Sequence, residues 1–247
     1  MPIERDEAIV LGRTRLGDSS LIVSLFTRRR GPVRVVAKAA RRARSRFGGV
    51  LEPTNHVLAV YYRKESRDLQ TLSQCDLVTA FSALRESLLR LAYAYAIIDG
   101  LAGLKREETP AEALFALALE AFARAENGPK EELEDMLWRF LLAALADAGF
   151  RPELERCLRC GKPAGPGPVL FDARAGGVVC GSHGEGGLIL SPGTLERFRT
   201  LSRGGRPPAP TAPRETGEGR EALRRFLREH GLGRDPFRAL GLLTPGS

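Results

Sequence analysis

The chain has 247 residues, 43% hydrophobic and 28% charged, with 38 Lys and Arg against 30 Asp and Glu. That is an ordinary globular composition, and the length allows one large domain or two to three small ones. No apolar run is long enough to cross a bilayer, and the charged N-terminus MPIERDEAIV lacks the apolar stretch of a signal peptide, so a cytoplasmic protein without a membrane partner is expected.

Residues 7–78 read as strands. AIVL, LIVSLF, VRVVAKA, HVLAVYY and LQTLSQCDLV are short β-favouring runs divided by turn signals such as GDSS and RRRGP. Five strands in so short a segment suggest a small closed barrel, because closure removes exposed edges. In the third run Val33, Val35, Ala37 and Ala39 share one face, while Arg34, Val36 and Lys38 share the other. Cys75 reads as a small buried apolar residue.

Residues 81–149 change period. Phe81, Leu84, Leu88, Leu91, Tyr95, Ile98 and Leu101 recur at three and four, which predicts an amphipathic helix. TPAE at 109–112 offers Thr109 as N-cap, Pro110 at the first helical position and Glu112 at the capping-box position of a second helix reaching about Arg124. A third spans 131–148 and stops at Gly149, with Leu133, Met136, Leu137, Phe140, Leu141, Ala144 and Leu145 on one face. This middle segment is acidic, with seven basic and twelve acidic side chains. SPGTLERFRTLS begins a short helix capped by Ser191, GGRPPAPTAPRETGEG at 204–219 reads as a mobile linker or loop, and REALRRFLREHGL is a last helix.

CLRCG and CGSHG place Cys157-x2-Cys160 ahead of Cys180-x2-His183. Two such pairs are what a tetrahedral zinc site needs, and Gly161 and Gly184 permit the tight turn after each pair. Four protein ligands leave no open position for water, so the ion is read as structural.

Charge is distributed unevenly. The window 28–46 holds nine basic side chains, Arg28, Arg29, Arg30, Arg34, Lys38, Arg41, Arg42, Arg44 and Arg46, and no acid; the rest of the chain carries 29 basic and 30 acidic residues. Arginine donates planar bidentate bonds to phosphate, so such a run on a small barrel suits a nucleic-acid backbone. Phe26, Phe47, Tyr61 and Tyr62 lie close to it, and alternation sends one of Tyr61 and Tyr62 outward without deciding which. No phosphate loop, nucleophile elbow or metalloprotease motif appears, and His56 and His230 stand alone, so the chain is not expected to be an enzyme.

Two long stretches carry a family likeness: AIVLGRTRLGDSSLIVSLFTRRRGPVRVVAKAARRARSRFGGVLEP, residues 8–53, and LWRFLLAALADAGFRPELERCLRCG, residues 137–161. RFLREHGLGRDPFRAL adds a weaker third. The chain resembles the RecO family of bacterial DNA repair and recombination mediators. The resemblance implies an α+β, multidomain architecture: an N-terminal OB-fold β-barrel over 1–79, then an α-helical domain over 80–247 that embeds a zinc-ribbon-like motif at 154–190 and the Pro/Gly-rich loop at 204–219. It implies binding of single- and double-stranded DNA, annealing of complementary strands, and work with RecR, with single-stranded-DNA-binding protein and indirectly with RecA, in the cytoplasm at the nucleoid. The family's basic segment falls on Arg34, Lys38, Arg41, Arg42, Arg44 and Arg46. Its zinc ligands fall on Cys157, Cys160 and Cys180, with His183 where many members carry a fourth Cys. The residues alone also allow a second reading, an RNA- or ribosome-associated zinc-containing barrel protein.

Overall fold

A computed structural model describes residues 2–104, 110–165, 167–183, 186–230 and 235–243. Thr109 and Gly184, to which the sequence gives a cap and a turn, lie outside the described residues. The chain divides into two compact units. One holds the chain up to Ala94 together with the segment ending at Glu126; the other holds Tyr95–Leu104 and the chain from Asn127 onward.

The first unit is built on five strands, β1 (Ile3–Leu16), β2 (Ser20–Thr27), β3 (Gly31–Ala37), β4 (His56–Tyr62) and β5 (Leu69–Thr79). They close in the order β1-β2-β3-β5-β4, with β3 and β5 parallel and the other pairs antiparallel, an OB-like barrel. Alternation fills the interior with Ala8, Val10, Leu21, Val23, Leu25, Val33, Val35, Val57, Ala59, Tyr61 and Leu72. Cys75 joins this core, and burial pushes its thiol up to about 12. A 3-10 turn at Gly48–Leu51 brings Phe47 and Leu51 into the same core.

Strand β1 is longer than the sequence suggested. Its first turns are the charged run IERDE, which conceals a strand because Glu4 and Asp6 fall on the inward side, at the rim, where arginines meet them. The outer row of Ile9, Phe26 and His56 is buried, and Phe115 of α2 (Glu112–Asn127) packs edge-on against the His56 ring.

The first helix departs from expectation. Residues Ser82–Glu86 form a 3-10 turn after Phe81, whose φ is +44°, and α1 runs only over Leu88–Leu104. From Ala92 to Leu101 it is buried on most sides, while Leu88 and Tyr95 are exposed, so it is not amphipathic in the predicted sense. A helix apolar around its circumference still shows apolar residues at spacings of three and four, which is why the pattern misled. Helix α2 begins after Ala111, whose carbonyl accepts from the Phe115 N–H, so Pro110 precedes the helix instead of opening it.

The second unit contains α3 (Leu133–Asp147), α4 (Pro192–Ser202), α5 (Pro213–Glu229) and a small sheet, β7-β6-β8, of β6 (Val169–Asp172), β7 (Gly177–Val179) and β8 (Leu188–Leu190). The predicted face of α3 is buried in full, and Gly149, φ +84°, ends the helix as the sequence requires. The Ser191 hydroxyl caps α4 by accepting from the Thr194 N–H. The stretch 204–219 is not loop throughout: α5 starts at Pro213, and the Glu215 carboxylate accepts from the Ala212 N–H. Gly219 sits in this helix because a Cβ there would overlap the buried Trp138 ring. Arg197 is buried between Asp135 and Glu215, and Arg220 pairs with the buried Glu134.

Candidate nucleic-acid interface and metal site

The nine cations of the basic window separate into two groups. Arg28, Arg29 and Arg30 occupy the β2–β3 turn, and the register that sets Ala8 opposite Thr27 carries that turn to the start of β1. There Arg28 pairs with Glu7, Arg29 with Asp6, and Arg30 makes two 2.7 Å bonds to Glu4. Glu4 also accepts from the Tyr61 hydroxyl at 3.1 Å; burial alone would raise its pKa, but Arg30 and Tyr61 hold it below the ordinary 4.5. These three arginines are neutralised inside the unit.

The other six, Arg34, Lys38, Arg41, Arg42, Arg44 and Arg46, are all exposed, and among the described residues none forms an ion pair. Arg34 and Lys38 project outward from β3 and its end, as alternation predicts. The rest stand on the turns that follow, which are fixed at defined points. Ala39 is left-handed at φ +56°, its N–H reaches the Ser20 hydroxyl, and the Arg41 N–H donates to the Ser19 carbonyl at 2.9 Å. The Arg41 guanidinium donates to the Asp18 carbonyl at 3.0 Å, and that of Arg46 lies 5.0 Å from the centre of the Phe47 ring. The loop is thus tied to the β1–β2 turn while its charges face solvent. Arg15, on that same hairpin, is also exposed and among the described residues makes no ion pair; it was missed in the sequence, where it stands apart from the run.

The aromatic question resolves clearly. Phe26, Phe47 and Tyr61 are buried, and of these four rings Tyr62 alone, 38% exposed, is presented outward.

In the second unit Cys157, Cys160, Cys180 and His183 converge, with their donor atoms all within 4.8 Å of one another. Sulfurs at ~2.3 Å from a tetrahedral zinc would be ~3.8 Å apart; Cys160 Sγ and Cys180 Sγ are separated by 3.9 Å, and His183 Nδ1 lies 2.8 Å from Cys180 Sγ. The backbone N–H groups of Cys180 and Arg159 donate to Cys157 Sγ at 3.3 and 3.4 Å and pull that thiol down to about 6, toward the thiolate a metal needs. Gly161, φ +70°, makes the turn after the first pair. The knuckle is held to the sheet by backbone bonds from Val178 N–H to the Glu153 carbonyl and from Leu158 N–H to the Val178 carbonyl. Gly177 allows that approach, since a Cβ would overlap the Glu153 backbone. The donor set and its geometry fit a metal ion.

Comparison with known proteins agrees with this architecture. The family model for the N-terminal part of recombination protein O matches residues 1–81, and that for its C-terminal part matches residues 85–240. A DNA repair protein RecO of Anaeromyxobacter sp. strain K is 39% identical over 92% of this chain and 90% of its own length. Those of Symbiobacterium thermophilum and Desulfatibacillum aliphaticivorans are 37% and 32% identical, over 83% and 96% of this chain and 81% and 95% of their own lengths. The chain belongs to the RecO family.

Proposed function

We propose that this protein is a DNA-binding recombination mediator in DNA repair, which anneals complementary single strands and helps load recombinase onto DNA coated by single-stranded-DNA-binding protein. The observation that carries the reading is the set of six exposed cations, Arg34, Lys38, Arg41, Arg42, Arg44 and Arg46, that make no ion pair among the described residues, on one strand and loop of a closed barrel. Family membership and relatives named for DNA repair support DNA as the polyanion.

Annealing sets a physical demand. Two polyanions must approach, so bound cations must neutralise phosphate while leaving base edges free to pair. Exposed arginines on a loop anchored by backbone bonds suit that task, since they need read no sequence. No bond is made or broken and no nucleotide is consumed. Cys157, Cys160, Cys180 and His183 hold one zinc ion, whose contribution is to fold the knuckle. RecR, single-stranded-DNA-binding protein and, indirectly, RecA are the partners that the family assignment supports.

The test is the rate at which two complementary DNA strands anneal with and without the protein, without nucleotide, across a salt series. Acceleration that fades with salt is expected. No acceleration by folded, zinc-loaded protein would refute annealing, and stronger binding of matched RNA than DNA would favour the RNA reading.

A further inference from the structure

The four cysteines differ in what can reach them. Cys75 is sealed in the barrel core. Cys157 is 3% exposed, and its sulfur already accepts the N–H groups of Cys180 and Arg159. Cys160 and Cys180 are only half-buried, and Ser182 and His183 beside them are exposed. The metal site therefore leaves two of its three sulfurs open to solvent and keeps the third inside.

Those two sulfurs are also close together. Cys160 Sγ and Cys180 Sγ lie 3.9 Å apart, although twenty residues separate them in the chain. A disulfide needs about 2 Å, so each sulfur has roughly 1 Å to travel. Neither residue lies inside a regular element: Cys160 closes the first knuckle turn, and Cys180 follows directly on β7. Rotation of their side chains therefore disturbs no strand. Arg159 and Lys162 bracket Cys160 in the chain; both are exposed, and among the described residues neither makes an ion pair. An accessible thiolate in positive surroundings, with a second within reach, has what a peroxide-reactive cysteine requires.

We propose that Cys160 and Cys180 are a hydroperoxide-sensitive pair whose oxidation to a disulfide opens the metal site. One thiolate attacks the outer oxygen of the peroxide. The O–O bond breaks, the alkoxide or hydroxide leaves and takes a proton from solvent, and the sulfur becomes a sulfenic acid. The second thiolate displaces hydroxide from that sulfur, and a second proton makes it water. Two thiolates have then lost two electrons, and the peroxide has been reduced to water and an alcohol, or to two waters. Only Cys157 and His183 remain as ligands, too few for a tetrahedral site. The new bond joins the same segments that the metal ligands bring together, so the knuckle stays tied to β7, and thiol reductants reverse the step. The loss of the ion rests on the zinc reading; the pairing of the sulfurs rests on their positions alone.

The experiment treats the full-length, zinc-loaded protein with one equivalent of hydrogen peroxide. A chromogenic chelator follows zinc, and mass spectrometry after alkylation maps the disulfides. One zinc should be released per disulfide formed, the disulfide should join Cys160 to Cys180, and Cys75 and Cys157 should be recovered alkylated. Hydrogen exchange across 153–190 should rise less in the oxidised protein than after chelation, since the crosslink replaces the ion. Cys75→Ala and Cys157→Ser should still form the bond. A disulfide through Cys157, or no oxidation at peroxide levels that oxidise glutathione, would overturn the proposal. Protein that purifies without zinc yet forms the Cys160–Cys180 bond would refute the zinc reading and leave the pair standing.

Discussion

Neutralising three of the six free cations gives a quantitative test of the interface. Each phosphate neutralised on a single strand contributes ~0.7 to the slope of log affinity against log salt. If Arg34, Lys38, Arg41, Arg42, Arg44 and Arg46 each hold one phosphate, the slope is about −4, and affinity falls roughly 300-fold between 50 and 200 mM salt. Arg41→Gln/Arg42→Gln/Arg44→Gln should halve the slope to about −2, so that the same change in salt costs only roughly 20-fold. The three side chains are exposed, so the fold should survive, as unchanged thermal unfolding would confirm. A matched control comes from the other half of the run. Arg28 pairs with Glu7, and Arg28→Gln/Glu7→Gln removes a basic residue of the same window without changing net charge. Its slope should match wild type. Binding titrations by anisotropy at five salt concentrations give all three slopes. An unchanged slope in the triple variant, or an equal fall in the paired control, would refute the division of the run into free and neutralised halves.

Three further outcomes are expected. Purified protein should carry one zinc per chain by mass spectrometry, and chelation should raise hydrogen exchange across 153–190, where the knuckle and β6–β8 lie, while the barrel core stays protected; an unchanged exchange pattern would remove the ion's structural role. Gly219→Ala should cost about 1–3 kcal/mol by overpacking against Trp138, whereas Gly217→Ala, on the same helix with open space at its Cβ, should be neutral or stabilising by up to ~1 kcal/mol; urea unfolding followed by Trp138 fluorescence compares them. Burial would raise the Glu218 pKa, but bonds from the Ser191 hydroxyl, the Thr194 hydroxyl and the Ser191 N–H hold it down at about 2. A carboxylate lowered on folding stabilises above its unfolded pKa near 4.5 and loses that contribution as pH falls toward 2; Glu218→Gln should flatten this part of the stability profile.

The barrel was legible because period-two alternation and turn signals survive in four of its strands, and closure follows from their number. What the sequence hid was hidden for physical reasons. The charged start of β1 looks like a loop until Arg29 and Arg30 arrive from the next turn to meet Asp6 and Glu4. The opening of α5 looks like a loop because PRETGEG is poor in helix formers, yet Glu215 caps it and Trp138 needs the missing Cβ of Gly219. The cluster of Cys157, Cys160, Cys180 and His183 was the most legible feature, since its spacing is local on each side and only the return of Cys180 and His183 depends on the fold.

The basic run shows the limit of counting charge along a chain. Nine cations without an acid among them suggested one uniform patch. Sequence proximity is a poor guide here because a strand's neighbours come from other strands. Glu4, Asp6 and Glu7 lie more than twenty residues upstream of the arginines they meet, and the β1–β2 register delivers them to one end of the run alone. The acids that neutralise one end of the run therefore lie outside the window in which its charge stands out. They fix the β2–β3 turn against β1 and leave the free charge concentrated on β3 and the loop that follows.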